Sequence, residues 1–246
     1  MTSNSKRAIV LNGSPRRNNS STLHVTNAFV RGLEDGGYEV KYYNIADLKI
    51  TPCLGCLSCW AKTEGKCVIH NDDIDNIKKE IEESDIVIES FPLYFFGMPG
   101  IMKVFTDRMM PMMSTYCGHE VPSDGSPFHG IRTPKEGQKL VIISSCAYTE
   151  ADFVYDSLTT QYDCICGKNN YTSIYVPQIK TLIDLHNENK LNKFLNKYKE
   201  AGLEFANNGF LSEETKSLLK KPPFSVGAYK TFLAMHWEEE KNENKN

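Results

Sequence analysis

Short apolar runs alternate along the chain with longer segments whose apolar residues recur every three or four positions. Residues 7–11 (RAIVL) form the first run and residues 38–43 a second, alternating one. Between them residues 23–33 carry apolar side chains at helical spacing and stop at Gly36 and Gly37, so the chain opens as strand, helix, strand. A charged helix with Ile74, Ile77 and Ile81 on one face is predicted over 73–83, a strand over 85–90 and a Met-rich helix over 100–113. A strand over 139–144, a helix over 151–164, a strand over 171–176 and a closing helix over 190–207 complete the series. Inner strands that are apolar on both faces belong to a parallel sheet with helices on each side. The expected architecture is α/β, a three-layer sandwich around a five-stranded parallel sheet of order 2-1-3-4-5.

Three segments exceed that unit. Residues 45–72 form an insertion that holds four cysteines. Residues 114–137, rich in Gly, Pro and Ser, are long enough to be a lid or binding loop. Past the sheet, Val226, Tyr229, Leu233 and Trp237 recur at helical spacing before a charged tail. The division read from this is an α/β domain over 1–210 and, over 211–246, a helical extension with a disordered tail. The extension either packs on its own subunit or makes a dimer contact; a homodimer or homotetramer is the expected assembly.

Composition narrows the function. With 246 residues, 40% hydrophobic, the chain can bury a sizeable core. A formal charge of -3 with interspersed signs gives no footprint for nucleic acid. No apolar run reaches membrane-spanning length and the first residues lack a secretory signal, so neither nucleic acid nor membrane is an expected partner and the cytoplasm is the expected compartment. In a reducing compartment eight cysteines point to metal, cluster or redox chemistry before disulfides.

In such a sheet ligands bind beyond the carboxyl ends of the strands, where the order reverses. The loop after the first strand holds Gly13, Ser14, Pro15, Arg16, Asn18, Asn19, Ser20, Ser21 and Thr22 at the start of a helix. Small residues let backbone N–H groups converge, hydroxyls donate to phosphate oxygens, and the helix dipole favours an anion. Without the P-loop lysine or a G-x-G-x-x-G pattern, this cradle suits a monophosphate such as that of FMN. Ordinary helix capping would account for Ser20 to Thr22 alone. After the third strand, PLYFFGMPG (92–100) sets Tyr94 and Phe95 beside Gly97, where a planar ring would need a wall and a close backbone. After the fourth comes SSCAYTE (144–150), with small residues that admit a ring edge.

Cys53, Cys56, Cys59 and Cys67 stand in a C-x2-C-x2-C-x7-C run. Such spacing lets thiols face one point, and three occupants are open: a [4Fe-4S] cluster, a zinc ion, or nothing but packed sulfur. Cys117, Cys146, Cys164 and Cys166 read as packed thiols, and His119 and His129 as solvated loop histidines.

The segments GSPRRNNSST (13–22), PCLGCLSCW through GKCVIHNDD (52–73) and SDIVIESFPLYFFGMPGIMKVFTDR (84–108), with the loop after strand four, cover about two-thirds of the chain. In that order they resemble the NADPH-dependent FMN reductase family of flavodoxin-like proteins, in particular the branch that includes the iron–sulfur flavoproteins. The resemblance implies FMN held at its phosphate by Ser14, Arg16, Ser20, Ser21 and Thr22. Pro92, Leu93, Tyr94, Phe95, Phe96 and Gly97 would lie along the isoalloxazine, with Ser145, Cys146 and Tyr148 near its other edge. It implies a [4Fe-4S] cluster on the four cysteines, although the Trp60-to-Lys66 gap matches a variant common among reductases. Asp107-Arg108 would fix a helix end.

The chemistry so implied is flavin-borne, with no catalytic side chain. NAD(P)H would give hydride to flavin N5, and the electrons would pass to a small acceptor such as a quinone, nitroaromatic, flavin or metal. The alternative is an iron–sulfur flavoprotein electron carrier fed by ferredoxin through the cluster.

Overall fold

A computed structural model describes residues 5–115 and 129–243. The strands are β1 (Lys6–Asn12), β2 (Tyr38–Asn44), β3 (Ile86–Pro92), β4 (Lys139–Cys146) and β5 (Thr172–Pro177). They pair in parallel in the order β2-β1-β3-β4-β5, as the alternation predicts. The period-two pattern sorts each strand's side chains between two cores. Ala8, Val10, Ile86, Ile88, Val141 and Ile143 face one layer; Ile9, Leu11, Val87 and Ile142 face the other.

The first layer is built on α1 (Ser21–Asp35) and α6 (Glu188–Asn208). Their backbones meet where both helices have glycine: a Cβ on Gly202 would stand 1.9 Å from the Phe29 carbonyl oxygen, and one on Gly32 2.0 Å from that of Lys199. Only hydrogen fits there. The Asn187 side chain caps α6 by accepting from the Lys190 N–H at 3.0 Å, which a capping residue should do. Short α5 (Ile179–Asp184) and α7 (Glu213–Leu219), neither foreseen from the sequence, extend this layer. The last helix, α8 (Val226–Glu243), buries Tyr229 and packs Phe232 and Leu233 on the same core. The extension thus seats on its own subunit, leaving Met235 and Trp237 exposed, and the helix runs into the charged stretch read as tail.

The opposite layer holds α2 (Ile74–Glu83), α3 (Gly100–Asp107) and α4 (Asp156–Cys166). Ile74, Ile77 and Ile81 are buried as their spacing predicts. Two helices differ from expectation. The segment expected helical over 100–113 stops at Asp107 and resumes only as a 3-10 turn at Met110–Met112, where Pro111 has no N–H to continue an α-helix. That expected from 151 begins at Asp156, because Phe153 lies in the left-handed region at φ 68°. Among the described residues no helix is long and apolar enough to cross a membrane.

Candidate functional site

The chain leaves β1 for β2 on one side and returns through β3 on the other, so the sheet splits above β1 and β3 and the loops after β1, β3 and β4 gather there. They are tied to one another. The Gly13 N–H donates to the Ser90 carbonyl at 2.8 Å, and that of Leu93 to the Ser145 carbonyl at 2.7 Å. Buried hydroxyl pairs, Thr22 with Ser145 at 2.6 Å and Thr26 with Ser90 at 2.7 Å, lace α1 to β4 and β3.

The first loop is organised by Asn12, a residue the sequence reading passed over. Its amide donates to the Arg17 carbonyl and to Asn44, and its carbonyl accepts from the Ser14 N–H. A polar residue closing an apolar strand was the available signal. Ser14 accepts from the Arg16 N–H, Arg16 is exposed, and Arg17 pairs instead with Asp47, holding that carboxyl below its ordinary range. Ser20 is the N-cap of α1, yet its side chain makes no capping bond, and its buried Oγ has no partner. An orphaned buried hydroxyl at a helix N-terminus is a free donor aimed where an anion is favoured. Ser21 is half-buried beside it. Of the five residues expected at a phosphate, Thr22 is turned to Ser145 and serves the scaffold; the residues present otherwise fit a monophosphate.

After β3, Tyr94 and Gly97 exchange both backbone hydrogen bonds, at 2.9 and 3.0 Å, closing a two-residue turn over Phe95 and Phe96. Both phenylalanines have positive φ, 49° and 64°, the type I′ conformation that ordinarily selects Asn-Gly. Phe95 is fully exposed, while Phe96 lies 5.8 Å from Tyr148 of the β4 loop, ring centre to ring centre. Ser157 of α4 donates to the Phe96 carbonyl. Strained, exposed aromatics are costly and recur where a ligand is received. Pro92 and Leu93 are half-buried, Ser145 and Cys146 buried, and Gln178 of the β5 end, also unforeseen, holds the β4 loop by donating to the Thr149 carbonyl at 2.8 Å.

The four-cysteine loop lies against the end of α3. Cys53, Cys56, Cys59 and Cys67 line one cavity, closed by Leu54, Leu57, Val68, Ile69, Met110 and Pro111. The Gly55 N–H donates to Cys53 Sγ at 3.4 Å and that of Ile69 to Cys67 Sγ at 3.5 Å. Burial, then the neighbouring charge of Cys67, pushes the Cys59 thiol up; hydrogen bonds from Ser58 draw Cys56 down. Among the described residues no three thiol, imidazole or carboxylate groups converge tightly enough for a single metal ion. Trp60, in the gap before Cys67, donates to the Met110 carbonyl at 3.0 Å and packs on His129 with the rings tilted at 45° and their centres 4.7 Å apart, so that histidine is packed rather than solvated. Cys146 and Cys166 are packed, Cys164 is exposed because it lies on the outer face of α4, and Cys117 and His119 lie outside the described residues.

Arg108 does more than end α3. Its side chain is 1% exposed and paired with the equally buried Asp72. It also donates to the carbonyls of Thr51 at 2.6 Å and Ile69 at 3.3 Å. Burial works against its charge, but Asp72 and Cys67 outweigh burial and strengthen it. On the sheet itself Glu89 accepts from Tyr162, and burial pushes its carboxyl up to about 7. It lines a second cavity of about 720 Å³ walled by Met109, Met112 and Met113.

Known proteins resemble this chain in sequence and in fold. An iron–sulfur flavoprotein of Archaeoglobus fulgidus is 40% identical over 105 residues, 43% of this chain and 46% of that protein. One of Methanocaldococcus jannaschii is 38% identical over 106 residues, 43% of this chain and 53% of its own. The chain thus spans about half the length of the curated relatives it matches. Among solved structures, the FMN-dependent NADH-azoreductase of Bacillus anthracis superposes with a TM-score of 0.58 at 15% identity, covering 82% of this chain and all of that one. The NAD(P)H:quinone oxidoreductase of Methanothermobacter marburgensis gives 0.58 at 17%, covering 82% and 96%. Both share the fold. The profile of the family described as NADPH-dependent FMN reductase matches residues 7–130, just over half of the 246, and the chain belongs to that family.

Proposed function

We propose that the chain is an NAD(P)H-dependent FMN oxidoreductase that delivers electrons to a small acceptor, and that its four cysteines hold a [4Fe-4S] cluster. The observation that carries the flavin half is the unpaired, buried Ser20 Oγ at the mouth of α1, inside a loop fixed by Asn12. FMN, when bound, supplies hydride acceptance from a nicotinamide and release of electrons to a second molecule. The residues' part is placement. Ser20, Ser21 and the first-turn N–H groups of α1 bind a phosphate, Arg16 adds charge from solvent, and Phe96 with Tyr148 shields one side of the ring site. No acid or base in the three loops is needed for the transfer.

For the cysteines, the support is four thiols that line one cavity, with N–H donors on two of the sulfurs. A cluster binds each thiolate at a different corner and so tolerates wider spacing than tetrahedral zinc. That same cavity favours a second reading, in which the protein is an electron carrier that ferredoxin reduces through the cluster. Anaerobic addition of NADH or NADPH to the purified flavoprotein separates the two. Bleaching of the flavin band within seconds is the expected result; persistent colour, with bleaching by reduced ferredoxin, would replace the oxidoreductase by the carrier.

A further inference from the structure

Arg108 occupies an unusual place. It stands at the end of α3, yet its guanidinium is spent on the two stems of the cysteine loop: the Thr51 carbonyl before Cys53, and the Ile69 carbonyl and Asp72 carboxylate after Cys67. With the four thiols it lines the cavity, and its buried Nε carries no hydrogen bond. A helix-end role needs none of this. Its partner Asp72 is outside the cavity wall; Asp107, the acid in the wall, is half-exposed and paired with Lys103 at 2.5 Å. The Arg108–Asp72 pair therefore presents its positive end to the cavity, and that end is permanent, because a guanidinium does not lose its proton in a protein.

We infer that Arg108 is a positioning residue of the four-cysteine site: a fixed buried cation, held between the loop's two stems, that favours the more negatively charged state of the metal–sulfur group bound there. The inference rests on the cluster reading above. The step concerned is gain of one electron by that group from a one-electron reductant, with no bond broken and no proton moved. Four thiolates make the group anionic, so reduction adds negative charge beside Arg108 in an apolar setting where it is weakly screened.

The test uses the full chain purified anaerobically as wild type, Arg108→Gln and Arg108→Lys. Each is assayed for iron and sulfide per chain and for circular dichroism. The cluster's reduction is then followed by a dithionite titration read by electron paramagnetic resonance. Arg108→Gln is expected to keep iron and lose at least tenfold in the reduced-to-oxidised ratio at a given potential, ~59 mV for one electron. Arg108→Lys, which keeps the charge and loses the fork, is expected to stay near wild type. If Arg108→Gln folds but loses iron, Arg108→Lys decides: iron retained at the wild-type potential supports the inference, and iron lost there too overturns it in favour of loop geometry. Iron-replete Arg108→Gln with an unchanged potential also overturns it. Wild type without iron overturns the cluster reading and this inference together.

Discussion

Replacing Ser20 by alanine should move stability and ligand affinity in opposite directions. In the protein as folded, Ser20 Oγ is buried without a partner, and it does not cap α1 although it occupies the capping position. A buried hydroxyl that forfeits its hydrogen bond to water costs about 1–3 kcal/mol. Ser20→Ala removes that cost together with one small contact, so the apoprotein should gain about 1 kcal/mol, or a Tm rise of roughly 2–4 °C at this size. In the proposed FMN complex the hydroxyl would donate to the phosphate, a bond to a charged group worth about 1.5–3 kcal/mol. Its loss should weaken FMN by roughly 10-fold to 150-fold. Melting of apoprotein and fluorescence titration with FMN give both numbers, and riboflavin, which has no phosphate, should bind wild type and variant alike. A destabilised apoprotein with unchanged FMN affinity would return Ser20 to the role of an ordinary helix cap and refute the reasoning.

The Phe95-Phe96 turn offers a second separation: Phe95→Asn with Phe96→Gly should stabilise the protein by about 1–2 kcal/mol per relieved left-handed residue, less the lost Phe96–Tyr148 contact. Thermal unfolding reads the gain, and turnover with NAD(P)H should fall as the ring wall is removed. Glu89 titrates near 7 in the folded chain against 4.5 when unfolded, so between those values the native state binds the extra proton and stability falls as pH rises. Glu89→Gln should match wild type below about pH 4.5 and exceed it by roughly 3 kcal/mol above pH 7; parallel urea-midpoint curves for the two would contradict this. Gly202→Ala drives a methyl into the Phe29 carbonyl and should cost about 3 kcal/mol or more in urea unfolding, while Gly37→Ala, which meets no atom but sits at φ 87°, should cost only the roughly 1–2 kcal/mol of a left-handed residue.

The sheet was legible because its period-two apolar runs carry a physical constraint at every residue: Val10 and Leu11 must face different layers. Ile74, Ile77 and Ile81 spoke for α2 in the same way. The strand-end loops were legible as places, since parallel order dictates where they gather, but not as hydrogen-bond networks. Thr22 reads as a phosphate ligand by its neighbours and folds as a brace to Ser145, a partner 123 residues away. Asn12 and Gln178 escaped notice because each acts through a single buried amide with no periodicity to announce it. Phe95 and Phe96 hid a turn, for a type I′ turn is ordinarily betrayed by Asn and Gly. Arg108 does end α3, as read, but its further contacts stayed hidden because its partners lie 36 to 57 residues earlier.

That separation bears on the order of assembly. The cysteine loop leaves the ribosome well before the arginine that closes it, and contacts so distant in sequence form only after β3 and α3 have been made. Until then the two stems are held only by their own bonds, the Thr51 N–H to the Asp72 carboxylate at 3.0 Å and the Lys49–Asp73 pair, without the guanidinium that neutralises Asp72. On the cluster reading proposed above, stable loading with iron is expected late, once Arg108 has followed the third strand, and a ribosome-bound chain stalled before residue 108 is expected to retain less iron than the full chain.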